Sequence, residues 1–277
     1  MRRLTYENSR GESVVFDTFP FFISSLTGVI ESDSNTQTLK SPYQDGATYI
    51  DTLLEPRYPV LQGAIVEKFA IDEHRRRITR VCNPKLGTGK LTLEINGVIR
   101  IIGAAVDGIP AFPDRGEDPY QRFMISWICP DPYWRSMTVT EEPAFEPRFR
   151  FPIHGPFIMG IQRDQRIIHN DGDAPAPIKV EFFGPALNPK IINKTTGEFI
   201  RIKQELHEGE RMLIDTSDSS VYFVAPDGSQ RNVFPWIDPD MKFFNLQIGL
   251  NEIEYTADSD IQGTVVNISY SKLYTAV

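Results

Sequence analysis

The sequence predicts a mainly β protein of two domains, and three observations carry that prediction. Segments that alternate apolar and polar residues recur along the 277 residues, with turn residues between them. Only Asp72–Cys82 has the composition of a helix. The charge also changes near residue 138, because residues 1–138 carry a formal net charge of −1 and residues 139–277 carry −7.

In the first half, predicted strands are joined by short polar turns. Leu4–Glu7 and Val14–Phe16 flank a polar loop and indicate a hairpin. Asn96-Gly97 separates Leu91–Ile95 from Val98–Ala105, and Asn-Gly is the strongest short-range hairpin signal because both turn residues need positive φ. The other predictions are strands at Tyr49–Leu53, Val60–Glu67 and Arg122–Ile128, and an apolar segment at Phe19–Ile23 that packs near the first hairpin. Gly28–Thr38 is polar and Ser-rich.

The predicted helix Asp72–Cys82 begins with acidic residues, continues with basic ones and stops before Asn83-Pro84. Ile78, Val81 and Cys82 lie on one side of such a helix. Its run of Arg75, Arg76 and Arg77 fits a solvated helix face, or a surface that pairs with acidic residues of a neighbouring chain.

The second half of the sequence is predicted to consist of consecutive short strands. Asn170–Ile202 alone holds a turn, a strand, a Gly-Pro break, a second strand, a Thr-Thr-Gly turn and a third strand. Many short strands at this spacing predict an antiparallel sandwich or barrel. The predicted strands are Ile178–Phe183, Lys190–Asn193, Phe199–Ile202, Arg211–Asp215, Val221–Val224, Phe243–Gln247, Asn251–Tyr255 and Val265–Tyr270.

A proline-rich stretch separates the two halves. Residues 139–158 break up any regular pattern, and the shift in charge falls at the same place. We therefore predict a first domain at 1–138, a connector at 139–158 and a second domain at 159–277.

Composition excludes several classes of protein. An acidic chain whose only basic cluster is Arg75–Arg77 is a poor nucleic-acid binder. No secretory signal peptide is visible, and no window approaches the roughly 20 apolar residues of a membrane span, so no membrane insertion is expected. Cys82 and Cys129 are too few for a disulfide-stapled scaffold; two buried free thiols are favoured over one bridge.

The sequence offers little for catalysis, and we predict no catalytic residue, no metal and no cofactor. Its four histidines are spread too widely for a zinc site. Glu252 and Glu254 share one face of a strand and could form a glycosidase-like carboxylate pair, although the solvated face of an edge strand shows the same pattern. Tyr222 and Trp236 could stack on a sugar ring or contact a partner, or they could be core packing.

Several segments, in this order and spacing, resemble the siphophage distal tail protein family over nearly the whole chain. They are Ser41–Asp51, Ile78–Arg100, Trp127–Arg135, Asn170–Ile202, Leu213–Thr216 and Phe243–Ala257.

The resemblance implies a β-sandwich-like first domain with one helix and a projecting hairpin, and a galectin-like or carbohydrate-module-like second sandwich. It implies a structural virion protein, assembled in the bacterial cytoplasm, that forms a homohexameric baseplate hub at the tip of a long non-contractile tail. The implied partners are other copies of the chain, the major tail tube protein, the tape measure protein, a tail-associated lysin or fibre, and receptor-binding proteins. DNA would pass through the lumen, and the Arg75–Arg77 helix would lie in the ring.

Two other functions stay open at this point. One is a lectin-like module for cell-wall saccharide, which needs an exposed Tyr222 or Trp236 beside a carboxylate in a groove. The other is a β-sandwich glycosidase that uses Glu252 and Glu254.

Overall fold

The chain folds into two compact units, Met1–Met137 with Tyr274–Val277, and Thr138–Leu273. A computed structural model describes residues 2–141, 145–146, 161–162, 165–258 and 266–277. The fold is mainly β, as the sequence predicts, and one α-helix occurs among these residues. The predicted connector falls largely outside the described residues; within it, Val139–Glu141 is a strand of the second unit. The roles assigned to the two domains stay predictions.

Strands of the first unit's main sheet alternate buried and exposed residues, so that one side of each of these strands enters a single core. The sheet order is β2-β1-β7-β8-β9-β6-β3, and neighbouring strands along it are antiparallel. The strands are β1 (Arg2–Glu7), β2 (Ser13–Phe16), β3 (Phe21–Thr27), β4 (Ser34–Leu39), β5 (Thr48–Leu54), β6 (Val60–Ile65), β7 (Thr88–Ile95), β8 (Val98–Val106), β9 (Gln121–Ile128) and β10 (Trp134–Arg135).

The single helix, α1, spans Ile71–Val81, within one residue of its predicted ends. Ile78, Val81 and Cys82 are all buried in the core of the first unit, which confirms their predicted common side. The Asn96-Gly97 hairpin is also confirmed, because φ is 51° at Asn96 and 84° at Gly97, and the turn joins β7 to β8.

The structure places a strand where none is predicted. β4 lies within and just beyond the polar Gly28–Thr38 stretch, and it pairs with β5 to form a separate two-stranded ribbon. We call β4, β5 and the loop between them the ribbon. Among the described strands, neither ribbon strand pairs with any other.

The second unit is an antiparallel sandwich of two sheets around one core. One sheet has the order β11-β24-β15-β20-β21-β22 and the other β14-β23-β17-β18. The strands are β11 (Val139–Glu141), β12 (Phe145–Glu146), β13 (Ile161–Gln162), β14 (Gln165–Asn170), β15 (Ile178–Phe183), β16 (Ala186–Leu187), β17 (Lys190–Asn193), β18 (Glu198–Arg201), β19 (Glu205–Leu206), β20 (Arg211–Asp215), β21 (Ser220–Val224), β22 (Gln230–Asn232), β23 (Gly249–Thr256) and β24 (Val266–Tyr270). The last strand of the chain, β25 (Leu273–Tyr274), belongs instead to the sheet of the first unit, where it pairs with β10.

One predicted strand of this unit is wrong, and several observed strands are not predicted. Phe243–Gln247 is not a strand, although Leu246 within it forms an isolated bridge with Ala176. The rings of this segment are held by side-chain packing instead, and Phe244 is buried. The strands that the sequence does not predict include β14, immediately before the Asn170 turn, and the short β16, β19 and β22.

Arg57 is the central contact of the first unit. Its side chain is 1% exposed, and it donates to backbone carbonyl oxygens only. Nε donates to Pro132 O at 2.5 Å, Nη1 to Glu31 O at 2.9 Å and Val29 O at 3.3 Å, and Nη2 to Thr275 O. The guanidinium therefore ties together the segment before β4, the loop after β9 and the chain's last residues.

The same contact closes the base of the ribbon. Arg57 follows β5, while Val29 and Glu31 precede β4, so the guanidinium bridges the two legs. Gly28 is needed at this point because its φ is +71° and a Cβ there would lie 2.2 Å from the carbonyl oxygen of Tyr58. The ribbon thus leaves the first unit from a fixed base.

We expect Arg57→Met to lower the free energy of unfolding by about 3–5 kcal/mol, because buried carbonyl groups lose charge-assisted hydrogen bonds. Arg57→Lys should recover only part of the loss, since an ammonium group cannot reach carbonyls spread around a planar fork. Urea unfolding followed by circular dichroism measures both changes.

Arg135→Met is the matched control. Arg135 pairs with Asp131 at 2.8 Å on a partly exposed surface, so its loss should amount to less than about 1 kcal/mol. Equal losses in the Arg57 and Arg135 variants would contradict the central role given to Arg57.

The two cysteines are buried in the first unit as free thiols. Burial raises the pKa of Cys82 and of Cys129 from 9.0 to about 12, because a thiolate is poorly solvated there. The folded state therefore favours the protonated thiols, and this contribution to stability is complete below the unfolded pKa near 9 and is lost as pH rises toward 12.

We expect the native protein to react with an aromatic disulfide reagent at pH 8 at least about 100-fold more slowly than the same protein in guanidinium chloride. The absorbance of the released thiolate measures both rates. A native rate equal to the denatured one, for either cysteine, would show that the thiol is accessible.

Candidate assembly and docking surfaces

The ribbon is the most exposed apolar element of the first unit. All six residues of β4 are exposed. Five large apolar side chains of the ribbon are more than half exposed: Leu39, Tyr43, Tyr49, Ile50 and Leu53. Thr36 and Thr52 contact each other across the strands at 3.3 Å between hydroxyl oxygens. An isolated two-stranded hairpin is at best marginally stable in water, so this geometry suits a ribbon that packs against another chain.

The predicted arginine run of α1 does not form one uniform surface. The Arg75 guanidinium lies 5.1 Å from the ring centre of Phe112, and Arg77 lies 6.0 Å from that of Phe21. Arg76 is exposed and has no hydrogen bond or ion pair within the described part of the chain. Arg76 is therefore the arginine of the three that is available to a neighbouring molecule.

Tyr222 and Trp236, the two aromatic residues considered for sugar or partner binding, lie on different sides of the second unit's six-stranded sheet. Tyr222 is 38% exposed on the outer face of β21. The next residue, Phe223, points inward, and Trp236 packs edge-on against it with ring centres 5.7 Å apart. Arg231 also lies over both of those rings. Trp236 is thus part of a packed cluster, while Tyr222 is open to solvent.

A hollow of about 410 Å³ surrounds Tyr222 on the outer face of the six-stranded sheet. Its polar lining includes Lys179 and Asp215, whose charged groups are 2.7 Å apart. Partial burial would raise the pKa of Asp215, but hydrogen bonds from Lys179 and Ser217 outweigh it and lower that pKa below its ordinary value. The Asp215 carboxylate is therefore fixed in its charged form at neutral pH.

Glu252 and Glu254 lie on one face of β23, as the pattern predicts, and both pair with the ammonium group of Lys194. The Glu252 contact measures 3.8 Å, and its side chain is half exposed. A lysine between two partly exposed carboxylates fits a solvated sheet face.

Among the described residues, no three side chains of the His, Cys, Asp and Glu types gather where they could hold a metal ion. In the same part of the chain, no helix is both long and apolar enough to cross a bilayer. The candidate binding surfaces are therefore the ribbon, the exposed face of α1 and the outer face of the six-stranded sheet.

These features define a class of protein: a two-unit β protein that exposes a two-stranded ribbon on one unit and an open sandwich face on the other. Comparison with known proteins relates this chain to components of phage tails.

Residues 171–274 match the family model described as "Siphovirus-type tail component, C-terminal domain". The whole chain shares the fold of the SPP1 Dit (gp 19.1) protein, whose crystal structure is titled a paradigm of the hub adsorption apparatus in phages that infect Gram-positive bacteria. The TM-score is 0.69 with 12% sequence identity, over 99% of both chains.

A chain of the phage P2 baseplate, in its activated conformation with Ca, has a TM-score of 0.59 at 11% identity over 100% of both chains. The same baseplate with Sr gives the same values. At these identities the likeness shows a shared fold. No curated protein matches this sequence.

The resemblance found in the sequence is confirmed by the family model and by the whole-chain fold. Residues 171–274 therefore carry the C-terminal domain of a siphovirus-type tail component, so the chain is a structural component of the virion tail, and its whole length has the fold of a baseplate hub protein.

Proposed function

We propose that the protein forms a homohexameric ring at the distal end of a long non-contractile tail and joins the tail tube to baseplate and receptor-binding components. The family match and the hub named for the SPP1 relative support this role. The partners proposed are further copies of the chain, the major tail tube and tape measure proteins, and a tail-associated lysin or fibre with receptor-binding proteins. DNA would cross the ring through its lumen.

The ribbon is the observation that carries the self-assembly part of the proposal. Its base is fixed by Arg57, yet its two faces leave Leu39, Tyr49, Ile50 and Leu53 in water. A preorganised base lowers the entropy lost on docking, and the exposed apolar groups supply area to bury. A neighbouring copy is the partner that a ring requires for each ribbon.

We propose that the role is structural rather than catalytic. The carboxylate pair Glu252 and Glu254 shares Lys194, and within the described residues no metal-binding group of side chains accompanies it. The weak net charge of residues 1–138 also suits a domain that packs against copies of itself.

A double variant of the ribbon, Tyr49→Ser with Leu53→Ser, tests the proposal. We expect mass photometry of the wild type to show a hexamer that the variant shifts to monomer, with an apparent dissociation constant raised at least about 100-fold because two apolar side chains no longer become buried. Thermal unfolding of the variant monomer should be nearly unchanged, because both side chains lie in solvent.

The matched control is Ile167→Ser, which removes a 71% exposed apolar side chain from the second unit. This variant should assemble like the wild type. A wild type that stays monomeric at every concentration, or a ribbon variant that still forms hexamers, would refute the proposed role of the ribbon.

The same assay tests the helix. We propose that Arg76 faces acidic residues of the neighbouring copy, so Arg76→Glu should raise the dissociation constant by about tenfold and more at low salt than at high salt. Arg115→Glu, a change of equal charge at another exposed arginine, should have no such effect. If both variants changed the dissociation constant equally, the interface role would be contradicted, and Arg75–Arg77 would be a solvated helix face.

A further inference from the structure

The hollow around Tyr222 has a regular construction that follows from strand register. On the outer face, Ser269, Lys179, Asp215 and Ser220 form one row across β24, β15, β20 and β21. The next row on the same face runs Asn267, Glu181, Leu213, Tyr222 and Asn232. One apolar strip made of Leu213 and Tyr222 therefore lies beside a line of hydroxyl, ammonium and carboxylate groups.

Charges on this face are balanced in pairs. Lys179 pairs with Asp215 at 2.7 Å, and Arg211 pairs with Glu181 at 2.9 Å. Asp218, in the turn that borders the hollow, accepts from the backbone N–H of Ser220 and adds a negative charge. Both cations are already engaged, so an anionic ligand would meet a net negative surface.

These groups also fix the ligand's hydrogen-bonding character. Asp215, Glu181 and Asp218 only accept hydrogen bonds, while the hydroxyls of Ser220, Ser269 and Tyr222 both donate and accept. A ligand that fits must donate several hydrogen bonds from one edge and present an apolar face to the aromatic ring. The hollow, at about 410 Å³, has the volume of an ordinary small-ligand site.

We propose that this hollow binds a neutral saccharide, with one sugar ring stacked on Tyr222 and Leu213 and its hydroxyls bonded to Asp215, Glu181 and Ser220. A sugar ring has an apolar C–H face and a rim of hydroxyls that both donate and accept, which is the pattern the hollow complements. The site lies in the middle of a sheet face, away from a strand edge, so addition of a peptide strand is not available there.

Only one of the two aromatic residues considered in the sequence, Tyr222, belongs to this site. Tyr222 lies beside carboxylates in a hollow, while Trp236 packs on Phe223 behind the sheet. The saccharide site does not depend on ring formation, because the ribbon belongs to the other unit.

The test is titration of the full chain by isothermal calorimetry and saturation-transfer NMR with lactose, maltose, cellobiose and N,N′-diacetylchitobiose, with sialyllactose as an anionic probe. We expect at least one neutral disaccharide to saturate with a dissociation constant between about 0.1 and 10 mM, the range for a shallow site. Sialyllactose should bind more weakly than lactose.

Tyr222→Ala should weaken binding at least about tenfold, and Tyr222→Phe should keep most of it, because the ring is retained. Leu213→Arg, which fills the hollow without removing Tyr222, should abolish binding. Phe234→Ala removes a similarly exposed ring of the same unit outside the hollow and should bind like the wild type. Thermal unfolding confirms that each variant is folded.

Absence of saturable binding by every neutral disaccharide up to about 20 mM would overturn the proposal, since such affinities would be too weak for a built site. So would unchanged binding in both Tyr222→Ala and Leu213→Arg, or a preference for the anionic probe. Mass photometry of Tyr222→Ala should show the wild-type oligomer, so failure here leaves the ring proposal untouched.

Discussion

The first unit depends on one guanidinium buried among backbone carbonyl groups. Arg57 has no carboxylate within hydrogen-bonding distance of its side chain in the described structure, and its donors are satisfied by Pro132, Glu31, Val29 and Thr275. Burial lowers the pKa of Arg57 from its ordinary value, but an arginine stays charged in proteins. A buried guanidinium needs the carbonyl groups of all these segments, because the loss of any one segment leaves an N–H group of Arg57 without a hydrogen bond.

The exposed ribbon follows from that contact. Since Arg57 and Gly28 hold its two legs, the ribbon keeps a defined direction without a third strand beside it. The second unit fixes its turns differently, with neutral buried amides. The side-chain amide of Asn251 donates to Gln247 O at 2.7 Å, and Asn193 donates to Asn251 at 3.3 Å. One unit thus carries an exposed ribbon, and the other carries an open sheet face.

Sequence patterns predicted most of the fold because period-two alternation is strong wherever one strand face is buried. Ile178–Phe183 and Arg211–Asp215 have the same bounds in the structure as in the prediction. β4 could not be predicted, because a strand that is exposed on both faces shows no alternation of apolar and polar residues. Its polar sequence is also typical of a loop. Phe243–Gln247 shows the opposite error, a predicted strand that the structure lacks. Its aromatic residues favour strands, but here they pack through their side chains without the hydrogen-bond pattern of a sheet.

The surfaces were harder to predict than the strands. Period two separates Tyr222 from Phe223, but Trp236 reaches the inner side through a short 3₁₀ turn that the sequence does not locate. Arg57 carries no local signal at all, because its partners lie up to 218 positions away along the chain. Distant carbonyl groups that meet around one side chain are a property of the tertiary structure.

Hydrogen–deuterium exchange of the ribbon amides, in dilute monomer and in assembled rings, tests the central claim most directly. If Arg57 fixes the base and another chain covers the strands, amides of Ser34–Leu39 and Thr48–Leu54 exchange quickly in the monomer, while those near Arg57 are protected. Assembly should then slow the ribbon amides by at least about 100-fold. Equal exchange of the ribbon in both states would contradict a ribbon that is completed by a neighbouring chain.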